Sequence, residues 1–209
     1  MSHFRAELRQ RADDIVALYP RARSAMLPLL HLAQEQDGYV CDEGIAEVAT
    51  LTGTTPADVR GTAAFYDMFH LKPVGRYVVG VCTNIACLLA GGEELLEHAA
   101  TKLGCVAGET SEDGWFTLEE TECLADCNFA PCVQVNHRYV RTTTSETFDT
   151  MVQDLREGRL DHEVPAHGTL VRVKRQGGLR VNREDIAAER ALASAERTAR
   201  AQAASPESA

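Results

Sequence analysis

Two closely spaced cysteine pairs restrict the fold of this chain more than any other feature. The pairs, with 35 residues between them, are Cys82-x4-Cys87 and Cys123-x3-Cys127. Apolar residues predict a buried strand over residues 76–82 and a second strand over 115–121, with helical periodicity between them. Because the strands of a right-handed β-α-β unit are parallel, their carboxyl ends lie at one edge of the sheet. The four thiols are therefore predicted to meet at that edge.

Four thiolates at one place suit either an iron–sulfur cluster or a structural zinc ion. Zinc often uses tight C-x2-C pairs, whereas the loops here are wider, and the plant-type ferredoxin pattern also contains C-x4-C. The spacing thus favours a [2Fe–2S] cluster, and zinc and unligated or disulfide-bonded cysteines remain as alternatives. The absence of C-x-x-C argues against a thioredoxin-type dithiol catalyst.

Three further cysteines lie outside the two pairs. Cys132 follows Cys127 at the same x4 spacing as the first pair and is a competing ligand by spacing alone. Free cysteine is often buried, so we interpret it as a small buried side chain in the strand after Pro131. Cys41 and Cys105 are interpreted as core or incidental residues. The seven histidines show no ligand spacing, and His31 on an apolar helix face is interpreted as packed core.

Composition narrows the class of protein. The formal net charge of −10 over 209 residues argues against nucleic acid or an anionic membrane surface as the main partner. The first residues mix charges where a secretory signal needs an apolar core, and the apolar run 26–33 is too short to span a membrane. We expect a soluble, cytosolic protein, and clustered cysteines in a reducing compartment more often bind metal or do redox work.

The first seventy residues predict a small bundle of helices. Four helices are expected, with these signals at their ends: a first over 4–18 closed by Pro20, a second capped by Ser24 and ended at Gly38, a third capped by Asp42 and ended at Gly53, and a fourth opened by Thr55-Pro56. The aromatic run Phe65, Tyr66, Met68 and Phe69 is interpreted as core between bundle and sheet.

A sheet domain is predicted to follow, in the order β-α-β-β-α. A hairpin is expected around Asn136-His137, and Thr144-Ser145 is expected to cap a last helix that ends at Gly158. Residues 160–183 include a strand-like stretch, and the alanine-rich residues from 186 onward predict a solvated helix or a disordered tail. The expected domains are residues 1–72, 73–160 and 161–209. The fold class is α+β or α/β.

Longer motifs resemble a known family. They include Val81-Cys82-Thr83-Asn84-Ile85-Ala86-Cys87 and Glu122-Cys123-Leu124, with further matches in residues 19–20, 29–39, 65–69, 73–77, 88–91, 108–110, 113–114, 116–118, 130–131 and 135–136. Over about residues 15–158 the chain resembles the thioredoxin-like [2Fe–2S] subunit of bacterial NADH:quinone oxidoreductase, respiratory complex I.

The resemblance implies a fold and a function. It implies a helical bundle followed by a thioredoxin-like [2Fe–2S] ferredoxin domain, with Cys82, Cys87, Cys123 and Cys127 as cluster ligands and no catalytic acid, base or nucleophile. The implied partners are the subunit that carries FMN and binds NADH, with which single electrons are exchanged, and a neighbouring iron–sulfur subunit. The location is then the cytoplasmic face of the cell membrane, without insertion. Formate dehydrogenases that use NAD and NAD-reducing hydrogenases contain the same module and are alternatives, as is a zinc-stabilised interaction module.

Two further features lie near the second cysteine pair. Ala125 stands where the resembled family commonly has glycine, and alanine is strained if that position needs a positive φ. The acidic residues here are Glu119, Glu120, Glu122 and Asp126. If they are more than a solvated face, their negative charge disfavours the addition of an electron and lowers the reduction potential of the cluster.

Overall fold

The structure is a computed structural model that describes residues 2–140 and 144–164. The predicted strand near residue 170 and the predicted helix or tail from residue 186 lie outside the described residues. The described elements, with two short 3-10 turns at Ala22–Ala25 and Cys127–Phe129, are α1 (Ala6–Ala17), α2 (Met26–Asp37), α3 (Asp42–Thr52), α4 (Pro56–Phe65), β1 (Tyr77–Cys82), α5 (Ile85–Leu88), α6 (Gly92–Leu103), β2 (Phe116–Thr121), β3 (Val133–Val135), β4 (Arg138–Val140) and α7 (Ser145–Arg156).

The first four helices form the predicted bundle, and their ends show which local signals act. Gly38 and Gly53 take left-handed backbone and end α2 and α3 as expected. Thr55 and Asp58 form a capping box that begins α4. The predicted caps of α2 and α3 are wrong in detail. Ser24 lies inside the 3-10 turn and α2 follows Ala25, whereas Asp42 is already helical and the cap is the Cys41 sulfur.

The bundle has an apolar core of its own, and the segment that leaves the bundle is tied to it. The largest fully buried side chains of this core are Leu29, Leu30, Leu32, Ile45, Val40 and Val48. Buried Gln34 donates to the Met68 carbonyl (2.8 Å) and accepts from the His70 N–H (2.9 Å). The nitrogen and the oxygen of the Gln34 side chain therefore both bind the segment that leads to the sheet. Each of these buried polar atoms thus has a hydrogen-bond partner.

The aromatic run at the end of α4 is only partly core. Phe69 is buried, but Phe65 is 80% exposed, so its assignment to the core is wrong. Phe65 comes two residues after the buried Ala63, and at about 100° per residue this places it on the far side of α4.

Four strands make one mixed sheet in the order β2-β1-β3-β4. The central strand β1 is buried along its whole length, as expected for a strand covered on both faces. It pairs in parallel with β2 and antiparallel with β3. Both arms of the predicted hairpin are paired strands. With the short helix α5, the described order has one strand and one helix more than the predicted order. Asn136 and His137 have φ of 47° and 60° and form its turn.

Helices α6 and α7 pack on this sheet around a second apolar core. Its fully buried members include Tyr77, Phe116, Leu118, Phe148 and Leu155. Thr144 caps α7 as predicted, with a box closed by Thr147. Within the described residues, every helix is too short or too polar to cross a membrane.

Candidate metal centre

Parallel pairing of β1 and β2 brings the two cysteine pairs to one edge of the sheet, as predicted. Cys82 is the last residue of β1 and lies opposite Thr121, the last residue of β2. Cys123 follows two residues later. The Cys82 thiol donates to the carbonyl of Glu122 over 3.7 Å, so the first cysteine touches the residue that precedes the third.

Cys87 is buried on α5, a single helical turn directly after β1. The Asn84 side chain accepts from the N–H of Ile85 and begins this turn. Helix α6 starts against the same backbone, because a Cβ at Gly92 would lie 2.7 Å from the Cys82 carbonyl oxygen and 2.9 Å from that of Cys87. Only glycine permits this approach, which fixes the loop between the first two cysteines.

Cys123 and Cys127 lie on an exposed loop. Ala125 between them has φ 58°, so the position does need left-handed backbone and alanine is strained there, as the glycine common in the resembled family suggested. The Tyr139 hydroxyl on β4 donates to the Leu124 carbonyl and pins the middle of the loop to the hairpin. Leu124 itself is buried against Cys82 and Cys87.

Cys132 is the fifth cysteine of this region. It is buried just before β3, as interpreted from the sequence, but the core that it joins is the cluster of Cys82, Cys87 and Leu124. Its thiol donates to the Asp126 carbonyl over 2.9 Å, and its own carbonyl accepts from the N–H of Cys82. Burial and the neighbouring thiols raise the pKa of Cys132 to about 12, which keeps this thiol protonated.

Four thiols are a donor set that suits an iron–sulfur cluster or a zinc ion. Among the described residues, which include all seven cysteines, no three sulfurs come within 4.8 Å of one another. Four sulfurs around one zinc ion stand about 3.8 Å apart, an arrangement that the described cysteines do not show. Buried Cys82 and Cys87 with exposed Cys123 and Cys127 form a site that is apolar on one side and open on the other.

Carboxylates surround the open side. A cavity of about 440 Å³ beside Cys123 is lined by Asp67, Glu119, Glu120, Glu122 and His137, among others. The Glu120 carboxylate accepts from the Thr83 hydroxyl over 2.8 Å and so stays close to the loop after β1. Burial, with Asp67 nearby, raises the pKa of Glu119. Three of the four predicted acidic residues therefore line a cavity beside Cys123, and the fourth, Asp126, precedes Cys127 in sequence.

A thioredoxin-like sheet with four thiols at one edge defines the class of protein. The model of the thioredoxin-like [2Fe–2S] ferredoxin family matches residues 12–156, and the chain belongs to this family.

Individual relatives are similar to the chain over most of its length. The chain is 41% identical over 151 residues to an NADH-quinone oxidoreductase subunit of Mycobacterium tuberculosis, a match that covers 72% of this chain and 60% of the relative. It is 38% identical over 159 residues to NADH-quinone oxidoreductase subunit 2 of Thermus thermophilus, covering 75% of this chain and 88% of that one. The chain thus spans about 60% of the length of its mycobacterial relatives.

A solved structure supports the fold. An NAD+-reducing [NiFe]-hydrogenase in the air-oxidized state superposes with a TM-score of 0.57 at 22% identity. The superposition covers 64% of this chain and 23% of that one. At this identity the likeness concerns the fold alone.

Proposed function

We propose that the chain is the [2Fe–2S] electron-transfer subunit of an NADH:quinone oxidoreductase, with Cys82, Cys87, Cys123 and Cys127 as cluster ligands. One observation carries the proposal: the Cys82 thiol at the end of β1 touches Glu122, next to Cys123, although 40 residues separate them in sequence. Similarity to NADH-quinone oxidoreductase subunits at about 40% identity supports the choice of parent complex.

Several features of the site suit a bound [2Fe–2S] cluster. When bound, a [2Fe–2S] cluster supplies a one-electron couple and needs no general acid, base or nucleophile from the protein. All four ligand thiols would lose their protons on metal binding, and the hydrogen bond from Cys82 to the Glu122 carbonyl would be lost with them. Cys132 is not a proposed ligand and can keep its hydrogen bond to the Asp126 carbonyl. Buried Leu124 keeps water from the inner side.

The exposed surface beside Cys87 suits a partner subunit. Ile85 and Leu89 flank Cys87 and are 72% and 84% exposed. Apolar side chains that stand this far into solvent next to a redox centre gain from being covered. We propose that a subunit carrying FMN and binding NADH covers this surface and exchanges single electrons with this chain. A neighbouring iron–sulfur subunit completes the proposed surroundings at the cytoplasmic face of the membrane.

The domain division proposed with this function is residues 1–72, 73–160 and 161–209. Two separate apolar cores, one from Phe4 to Phe69 and one from Tyr77 to Val164, support the first boundary. Most of the third segment lies outside the described residues, and no function is assigned to it.

The test is reconstitution with the partner. The chain is co-expressed with the flavin-bearing subunit from the same organism, and the complex is reduced with NADH. We expect copurification and a [2Fe–2S] EPR signal, and we expect Leu89→Ser to weaken copurification while its iron content stays unchanged. If the two chains do not associate, or if Leu89→Ser and the wild type copurify equally, the proposed docking is wrong.

The alternative functions predict other results of this experiment. Copurifying hydrogenase or formate dehydrogenase subunits would assign the chain to the corresponding NAD-dependent enzyme. A colourless chain with one zinc ion in place of iron would assign it to a zinc-stabilised interaction module.

A further inference from the structure

A second group of metal-ligating side chains lies in the helical bundle. His3 precedes α1, Asp37 is the last residue of α2, and Cys41 caps α3. The His3 Nε2 lies 2.7 Å from Asp37 Oδ2, and the Cys41 Sγ lies 3.5 Å from each of these atoms. Three different donor types from three segments thus meet at one point.

The spacing of these atoms matches one face of a tetrahedral site. With zinc bonds of about 2.3 Å to sulfur and 2.0–2.1 Å to nitrogen or oxygen, tetrahedral angles place sulfur about 3.5 Å from each other donor. Both distances from Cys41 Sγ agree with this. The nitrogen and oxygen need to separate only from 2.7 Å to about 3.3 Å, which two side chains at the bundle surface can do by small rotations.

The Cys41 sulfur both donates and accepts hydrogen bonds. The Gly44 N–H at the beginning of α3 donates to Cys41 Sγ over 3.3 Å, so the sulfur already acts as an acceptor there. The side chains of His3 and Asp37 are 22% and 23% exposed, which leaves an entry path and room for water as a fourth ligand. Besides the His–Asp hydrogen bond, the Cys41 thiol donates to Asp37 Oδ2 and lies at hydrogen-bond distance from His3 Nε2, so the three donor atoms already contact one another.

We propose that His3 Nε2, Asp37 Oδ2 and Cys41 Sγ form a binding site for a zinc-class divalent cation, separate from the four-cysteine centre. On binding, a metal–sulfur bond forms and the Cys41 thiol proton passes to solvent, while the neutral His3 carries its proton on Nδ1. The ion links the residues before α1 to the facing ends of α2 and α3. This proposal does not rest on the proposed function, because the bundle core and the sheet core are separate.

The test uses the full chain after its iron and sulfide have been measured. The protein is loaded with zinc chloride, freed of excess metal and studied by metal analysis and by X-ray absorption at the zinc edge, where iron does not interfere. We expect one zinc per chain without loss of iron, with one sulfur neighbour at about 2.3 Å and nitrogen or oxygen at about 2.0–2.1 Å.

Three variants make the assignment specific. Cys41→Ser keeps the helix cap, since serine is a preferred capping residue, yet removes the soft ligand. We expect Cys41→Ser and His3→Ala to lower zinc affinity at least tenfold, and Cys105→Ala, which removes a cysteine buried in the other core, to leave it unchanged. Three outcomes overturn the proposal: no retained zinc, equal retention in Cys41→Ser, and a sulfur-rich shell with loss of iron, which would place the zinc at the four-cysteine centre.

Discussion

Ala125 is held in left-handed backbone by its two neighbours in the cysteine loop. Its φ of 58° costs an alanine roughly 1–2 kcal/mol relative to ordinary backbone. The side chain is exposed, so no packing offsets this strain. The loop keeps its shape because Tyr139 holds the Leu124 carbonyl and Cys132 holds that of Asp126. These two hydrogen bonds, from Tyr139 in the hairpin and from Cys132 just before it, therefore hold the loop in a conformation that is strained at Ala125.

Replacing Ala125 with glycine should relieve this strain. Glycine loses some of the gain to its greater freedom in the unfolded chain, so we expect a net stabilisation of about 0.5–1 kcal/mol. Urea midpoints of the cluster-loaded protein measure it, together with the half-life of the visible absorbance under a chelator. Ala130→Gly is a control of opposite sign, because Ala130 has an ordinary φ of −64° and packs against the buried cysteines, so glycine should destabilise there. A lower midpoint for Ala125→Gly would show that the strain is not real.

At the scale of single elements, short local signals fix some helix ends and not others. Thr55 begins α4 through a reciprocal box with Asp58, and its hydroxyl accepts from the Asp58 N–H at 3.2 Å. Ser24 has the same residue chemistry but lies inside a 3-10 turn before α2, where Ala25 takes the cap position without a side-chain bond. The same kind of side chain is therefore a cap at one position and not at the other.

These two positions form a matched pair for a stability measurement. We expect Thr55→Ala to lower the free energy of unfolding by about 1 kcal/mol, because an orphan N–H loses its partner. We expect Ser24→Ala to change it by less than about 0.5 kcal/mol. Urea unfolding of both variants beside the wild type decides. If both variants lose the same free energy of unfolding, the observed cap at Thr55 does not contribute to stability.

Strand β2 and the loop after it concentrate negative charge at the proposed cluster. Asp126 precedes Cys127, and its carbonyl accepts from Cys132. Asp126→Asn keeps the shape of the side chain and removes one negative charge, which should raise the midpoint potential. A contribution on the order of 1 kcal/mol corresponds to about 40 mV for a one-electron couple. Redox titration followed by EPR measures it, with Glu7→Gln on α1 as the control. An unchanged potential in Asp126→Asn would remove the electrostatic hypothesis.

The sequence predicts which cysteines meet at the edge of the sheet, but not the contacts that depend on helix packing. Strand periodicity and right-handed crossover were sufficient to place Cys82 beside the loop of Cys123, since both depend on local pattern and chirality. The Cys41 cap, the exposed Phe65 and the meeting of Cys41 with His3 depend on how α1 to α4 pack, which residue order alone does not specify. The x4 spacing of Cys132 was the one sequence signal for its place beside Cys82 and Cys87.

For the whole molecule, the junction of bundle and sheet is built around neutral histidines. His31 on α2 packs its ring 4.7 Å from that of Phe69, and His137 is in the turn between β3 and β4. Burial, together with the nearby His137, lowers the pKa of His70 to about 4. Burial likewise lowers the pKa of His31 and of His137. Protonation of these rings therefore opposes the packing of the two cores.

The sign of the resulting pH dependence follows from these shifts. Between about pH 6.5 and pH 4 an unfolded imidazole binds a proton that folded His70 does not, so stability is lost as pH falls through this window. The effect of His70 is at most about 3 kcal/mol. Glu119, 3.6 Å from the His70 ring, acts in the opposite sense, because its raised pKa makes the folded state bind the proton more readily.

His70→Gln should therefore flatten the pH profile. Urea midpoints at pH 7 and pH 5 are compared for the cluster-loaded wild type and variant, and we expect a smaller difference in the variant. His162→Gln at an exposed position is the control and should keep the wild-type difference. Identical profiles for His70→Gln and the wild type would contradict the assignment of the pH dependence to this junction.

The central claim is that four of the seven cysteines hold a two-iron cluster. The most direct measurement is iron and sulfide analysis with low-temperature EPR, before and after dithionite, on the full chain purified without oxygen. For the wild type and for Cys132→Ala we predict a brown protein with about two irons and two sulfides and a rhombic S = 1/2 signal on reduction. For Cys123→Ala we predict loss of most of the iron and of that signal. A wild-type chain without iron, or a Cys123→Ala variant that keeps the full iron content and an unchanged spectrum, would contradict the account.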